Sequence, residues 1–313
     1  MKLITKKNIA AIITLAISLL LPNSAFAANP AACTKNADGE ITSTADCITT
    51  PDRLKLKMNH IYMCYSKPRA PTTSLASNQR NSANRGVCTQ QLWPTPYSRN
   101  TTEFTIENGI SNSLSSAGGG FRGVVGKQNF THFTVYLDPY FKMKSKQKFD
   151  RTMTTSDSLS SGEWCWTKNT SKYALRSTGV MVIECGTEAE ANAGVGELTT
   201  TFNAIGDATG ESHLYTIDAA TLNAYLINSS EKLVPSITSD DSNDASEILA
   251  HVTLPTGTYM ESCRNNTKGT KSVSLQWKVS EALEWKISGT TVSDVAPSEF
   301  YMQIIPRNGG TCH

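Results

Sequence analysis

Apolar and polar residues alternate one by one through several stretches of this chain, and that period admits few folds. Leu54, Leu56 and Met58 alternate with Lys55, Lys57 and Asn59, and the run continues through Ile61, Tyr62 and Met63 to Cys64. Phe133, Val135 and Leu137 alternate with His132, Thr134 and Tyr136. Val273, Leu275, Trp277 and Val279 alternate with Ser274, Gln276 and Lys278, and Leu283, Trp285 and Ile287 with Glu284 and Lys286. Phe300, Met302 and Ile304 come last. Side chains of a strand point to opposite faces in turn, so each run has one buried and one wet face, the mark of antiparallel sheets. Charged residues are only 18% of the chain, which suits strands with polar outer faces joined by turns rich in Ser, Thr, Asn and Gly. The expected fold is mainly β: an antiparallel β-sandwich, in two sub-domains, with a few short helices and disulfide staples.

Helix signals are sparse. Asp218 precedes 219–227, where Leu222, Tyr225 and Leu226 would share a helical face. Thr187 with Glu190 has the spacing of a capping box and predicts a short helix. Asp244 with Glu247 predicts the start of another turn.

The N-terminus has the three parts of a secretory signal. Lys2, Lys6 and Lys7 precede an apolar run over 9–21, and Ala25-Phe26-Ala27 supplies the small-residue cleavage site, so residues 1–27 are expected to be removed. The apolar run falls short of the ~20 residues of a membrane span, and no second run follows. Periplasm, cell surface or extracellular space is the expected location. The cysteines agree with it. Cys33, Cys47, Cys64, Cys88, Cys165, Cys185, Cys263 and Cys312 are even in number and none lies in the signal. Pairing of sequence neighbours is expected: Cys33–Cys47, Cys64–Cys88, Cys165–Cys185 and Cys263–Cys312. No C-x-x-C or helically spaced Cys/His pair offers a zinc alternative.

Charge changes sign along the chain. Residues 28–155 hold 16 Lys/Arg against 8 Asp/Glu, whereas 156–313 hold 10 against 19. This step, in the polar stretch 152–161, sets the expected boundary between a basic domain (28–155) and an acidic one (156–313). Oppositely charged surfaces would then meet each other, a second copy or another partner.

Two residue clusters are candidate sites. Lys142, Lys144, Lys146 and Lys148 fall at every second position, with Tyr136 and Tyr140 in the same parity. On one strand they would form a cationic strip for an anionic polysaccharide or another anionic polymer, nucleic acid being the least expected; the competing role is edge protection. Asp240, Asp241 and Asp244, with Asn243 and Glu247, are oxygen donors that could hold calcium, the one cofactor considered. They do not follow an EF-hand: Ala245 stands where glycine is required and His251 where the bidentate glutamate belongs.

Catalytic motifs are missing from the sequence. It has no G-x-S-x-G and no H-E-x-x-H, and Gln128 replaces the Ser/Thr of a P-loop. Glu163-Trp164 and Glu284-Trp285 set a carboxylate beside an aromatic ring, but the alternation around Trp285 turns Glu284 outward. The lack of a terminal aromatic strand speaks against an outer-membrane barrel. The leading expectation is an exported structural or interaction protein, able to self-assemble. The alternatives are a binding module for anionic polysaccharide or glycan, and a secreted hydrolase whose site is assembled from distant residues.

Overall fold

The computed structural model describes residues 30–77, 87–93, 102–107, 129–170, 181–200, 213–217, 220–234, 246–254, 260–261, 268–298 and 301–311. In chain order the elements are β1 (Ala45–Thr49), β2 (Arg53–Cys64), β3 (Cys88–Trp93), β4 (Thr102–Glu107), β5 (Asn129–Phe130), β6 (His132–Leu137), β7 (Phe141–Lys144), β8 (Lys146–Thr155), β9 (Ser161–Thr167), β10 (Ile183–Gly186) and α1 (Glu188–Gly194). They continue with β11 (Leu198–Thr200), β12 (His213–Ile217), β13 (Ala220–Ile227), β14 (Glu247–Thr253), β15 (Met260–Glu261), β16 (Lys268–Lys278), β17 (Leu283–Ser288), β18 (Thr291–Pro297) and β19 (Tyr301–Thr311). A six-stranded sheet runs β1-β17-β18-β8-β9-β10, and a nine-stranded sheet runs β11-β7-β2-β6-β14-β13-β12 with β3 and β4 also on β2. Two-stranded pairs join β15 to β5 and β16 to β19. Pairing is antiparallel except between β18 and β8, which run parallel.

The alternation around Leu54 becomes β2. Leu54, Leu56 and Met58 are buried while Arg53, Lys55 and Lys57 are partly exposed. The register slips between Met58 and His60, so the core-facing residues change from even to odd numbers, to Ile61 and Met63. One extra residue has this effect in any strand, because the side-chain period is two. Leu54, Met63, Phe133 and Ala250 of the nine-stranded sheet share one core with Phe149, Ile183 and Trp285 of the six-stranded sheet. Each large apolar side chain so buried contributes about 1.5–3 kcal/mol.

Residues from both sides of position 155 build both sheets. Thr155 and Ser156 lie at the turn from β8 into its antiparallel partner β9, while β2 and β6 share a sheet with β13 and β14. Some charges of opposite halves meet: Glu197 receives Arg53 at 3.2 Å and Lys55 at 2.7 Å, and Lys286 lies 3.3 Å from Asp46.

The short helix forms where the capping box predicts it. Thr187 accepts from the Glu190 backbone N–H at 3.3 Å, and the Glu190 carboxylate accepts from the Thr187 backbone N–H at 2.8 Å. The helix expected over 219–227 is instead strand β13. Ala224 and Leu226 face the main core, whereas Tyr225 and Ile227 fill a second cluster on the other face. A strand buried on both faces, between β12 and β14, loses its alternation and imitates a buried helix in sequence. Glu247 likewise begins β14 rather than a helical turn.

Three disulfides join the expected neighbours, Cys33–Cys47, Cys64–Cys88 and Cys165–Cys185. The last two link directly opposed residues of paired strands. Closing a loop of 14 to 24 residues removes about 3 kcal/mol of unfolded-chain entropy. Cys263, Cys312 and residues 1–27, expected from the sequence to be a signal, lie outside the described residues.

Candidate functional site

The four lysines do not form one strip. Lys142 and Lys144 belong to β7 in the nine-stranded sheet, Lys146 and Lys148 to β8 in the six-stranded sheet. The chain changes sheets at buried Ser145, whose backbone N–H donates to Thr167 Oγ1 at 3.0 Å and whose carbonyl accepts from the Thr167 N–H at 3.0 Å. Thr167 Oγ1 also donates to the Gly196 carbonyl at 2.8 Å. Beside the crossing, the Lys146 N–H donates to Asp52 at 3.0 Å, and burial pushes the Asp52 carboxyl above its ordinary value.

Each lysine has a different setting. Lys148 pairs with Glu40 at 2.6 Å, which lowers the Glu40 pKa and raises that of Lys148. Lys146 donates to Asn192 and sits 5.6 Å from the centre of the half-buried Trp164 ring. Lys144 and Lys142 stand opposite Arg53 and Lys55 in the register, and Lys142 is exposed. Tyr136 is fully buried and offers no surface to a polymer, while Tyr140 packs partly buried against the core. Asp240, Asp241 and Asp244 lie outside the described residues. Glu247 is buried and accepts from Asn59 Nδ2 at 2.9 Å.

A different cluster lies on the second face of the nine-stranded sheet. His60, Tyr62 and Cys64 project there from β2, Thr134 and Tyr136 from β6, Tyr225 from β13, and Leu249 and His251 from β14. The rings of Tyr62 and Tyr136 meet edge to face at 5.9 Å, and Tyr136 meets His60 the same way at 6.0 Å. The Cys64–Cys88 disulfide lies beside Thr134, whose hydroxyl is 3.4 Å from the Cys64 sulfur. His251 is 4% exposed and packs edge-on to Tyr225 at 5.3 Å, and among the described residues its Nε2 has no hydrogen-bond partner. Burial, with His132 and Lys67 adding like charge, lowers its pKa to about 3, so the imidazole is neutral at physiological pH. His132, half-buried, is lowered by the same causes, burial and then Lys67.

The sequence treats His60 and His132 as separate strand residues, and no spacing connects either to His251. The only available signal is parity: histidine, tyrosine and threonine recur at the positions between core residues in three different strands. Among the described residues no three His, Cys, Asp or Glu side chains converge as a metal set, and no helix is long and apolar enough to cross a membrane. The chain matches no family model, no curated protein and no solved structure.

Proposed function

We propose that this chain is an exported structural or interaction protein that associates with copies of itself. The observation that supports the reading best is the placement of its disulfides: Cys33–Cys47 and Cys165–Cys185 reach the core shared by the two sheets, and Cys64–Cys88 reaches the buried cluster on the second face of the nine-stranded sheet. Such staples persist in oxidising compartments, outside the cytosol. They would give a rigid body that presents charge of both signs, with exposed Glu163, Glu188 and Glu190 near Lys146 and Lys148 of β8, and exposed Lys142 on β7. Surface charges of both signs allow complementary head-to-tail contact between copies. Native size of the protein taken gently from its source cells, at low and high salt, tests the reading. A large species that dissociates in salt supports it, and a salt-independent monomer removes it.

A second reading rests on Lys146 beside the half-buried Trp164 ring, an arrangement suited to an anionic sugar. Retention on an anionic polysaccharide resin, lost on changing Lys144 and Lys146 to Glu, would favour it over self-association.

A further inference from the structure

We propose that residues 65–77 are an acid-releasable strap, closed over the second face of the nine-stranded sheet and released by protonation of the buried His251 imidazole. The path of the chain carries the first half of this inference. The strap leaves β2 at Cys64, at the sheet end where Cys64, His132, Thr253 and Thr221 stand in register. It is fastened to the turn after β13, at the opposite end, where Met58, Leu137, Ile248 and Ile227 lie. The fastenings are Leu233 N–H to the Thr72 carbonyl at 3.0 Å, Ser77 N–H to the Glu231 carbonyl at 3.0 Å, and the Ser77 hydroxyl to the Glu231 carboxylate at 2.6 Å. Between these ends it must cross β6 and β14. The other face belongs to the main core, and Leu233 joins the second-face cluster, so the crossing is over that second face. Pro68, Pro71 and Ser77 are buried along it.

His251 lies on β14 on that face. Facing it are His132 at the start of β6, Lys67 of the strap and Tyr225 of β13, with Glu247 on its own strand and His60 and Tyr62 on β2. His132 and Lys67 would both repel an imidazolium, and among the described residues its Nε2 has no hydrogen-bond partner. A charge placed there is expelled rather than solvated. Opening the strap gives the ring water, and the open state binds the proton that the closed state refuses.

Amide hydrogen exchange of residues 65–77 in the intact mature protein, corrected for intrinsic rates, tests this at pH 7.5 and 5.0. An ordinary histidine in the open state predicts that opening rises roughly 30-fold across this interval. The His251→Phe variant should show no such rise, while Glu231→Gln should retain it. Unchanged protection in the wild type, an equal rise in His251→Phe, or its loss only in Glu231→Gln would overturn the proposal. Should His251→Phe fail to fold, the His251 ring resonance of the wild type decides. Its protonation should coincide with strap exchange, and protonation while the strap stays protected refutes the device.

Discussion

The Lys148 ammonium lies 2.6 Å from a carboxylate oxygen of Glu40, and this pair bridges two segments more than a hundred residues apart. Around it, the Ile41 N–H donates to the Lys148 carbonyl at 2.8 Å and the Asp150 N–H to the Ile41 carbonyl at 3.1 Å. The segment near Glu40 thus takes up β8 backbone where β8 leaves the register of β9, between Lys148 and Met153. The lysine is part of how the N-terminal loop docks. Replacing Lys148 with Met should let the Glu40 carboxyl titrate nearer its ordinary range, because the Lys148 hydrogen bond is the largest cause of its lowering. The side-chain carboxyl resonance of Glu40 reads this out, and an unmoved titration would mean the pair does not form in solution.

Arg151 makes the same connection by backbone contacts. Its guanidinium donates to the carbonyls of Thr42 at 3.2 Å, of Gly289 at 3.1 Å and of Ser43, and pairs with Asp150 at 2.6 Å. It ties the loop enclosed by Cys33–Cys47 to the β17–β18 turn. Arg151→Met should cost about 2–3 kcal/mol in urea unfolding, the range for losing charged hydrogen bonds at a partly buried site. A loss below about 0.5 kcal/mol, normal for a plain surface change, would contradict the clamp.

Gly162 tests the packing of the six-stranded sheet. A methyl group built on it would lie 2.1 Å from the Gly186 carbonyl oxygen, which is backbone and cannot swing aside. Gly162→Ala should therefore destabilise the fold by about 1–3 kcal/mol, the range for inserting an atom into a filled space. Gly39→Ala makes a useful comparison. It meets nothing within 4 Å, so any cost there comes from its backbone φ of +80°.

His251 gives global stability a definite pH dependence. Its folded pKa, about 3, lies below that of an unfolded histidine, so the unfolded chain takes up the proton first. Its contribution is complete above the unfolded pKa near 6.5 and is lost as pH falls from there toward the folded value. Between pH 8 and pH 5 the loss is about 2 kcal/mol. Urea unfolding of wild type and His251→Phe should show this difference in slope. Parallel curves would mean the ring is solvated in the folded protein.

Much of the β architecture is legible from side-chain order. β2, β6 and β17 alternate polar and apolar residues, in β6 even though both faces are buried, because His132, Thr134 and Tyr136 fill the second one, and α1 carries its cap in Thr187 and Glu190. β13 is illegible for a physical reason: both of its faces are buried, so no polar residue marks the period between Ala224 and Ile227. The lysine strip misleads because alternation survives the break at Ser145 while the sheet does not. The histidine–tyrosine cluster leaves only a parity signal within each strand, since His60, Tyr136, Tyr225 and His251 meet only through the order of strands β2, β6, β14 and β13.

Self-association is tested by sedimentation of the oxidised protein, prepared without residues 1–27, at 20 mM and 500 mM salt. Exposed charges are screened beyond about 10 Å at 0.1 M and about 3 Å at 1 M salt, so contacts made through them weaken sharply over this interval. Self-association through exposed charge predicts assemblies at low salt that fall to the single-chain mass at high salt. A single chain under both conditions would contradict it.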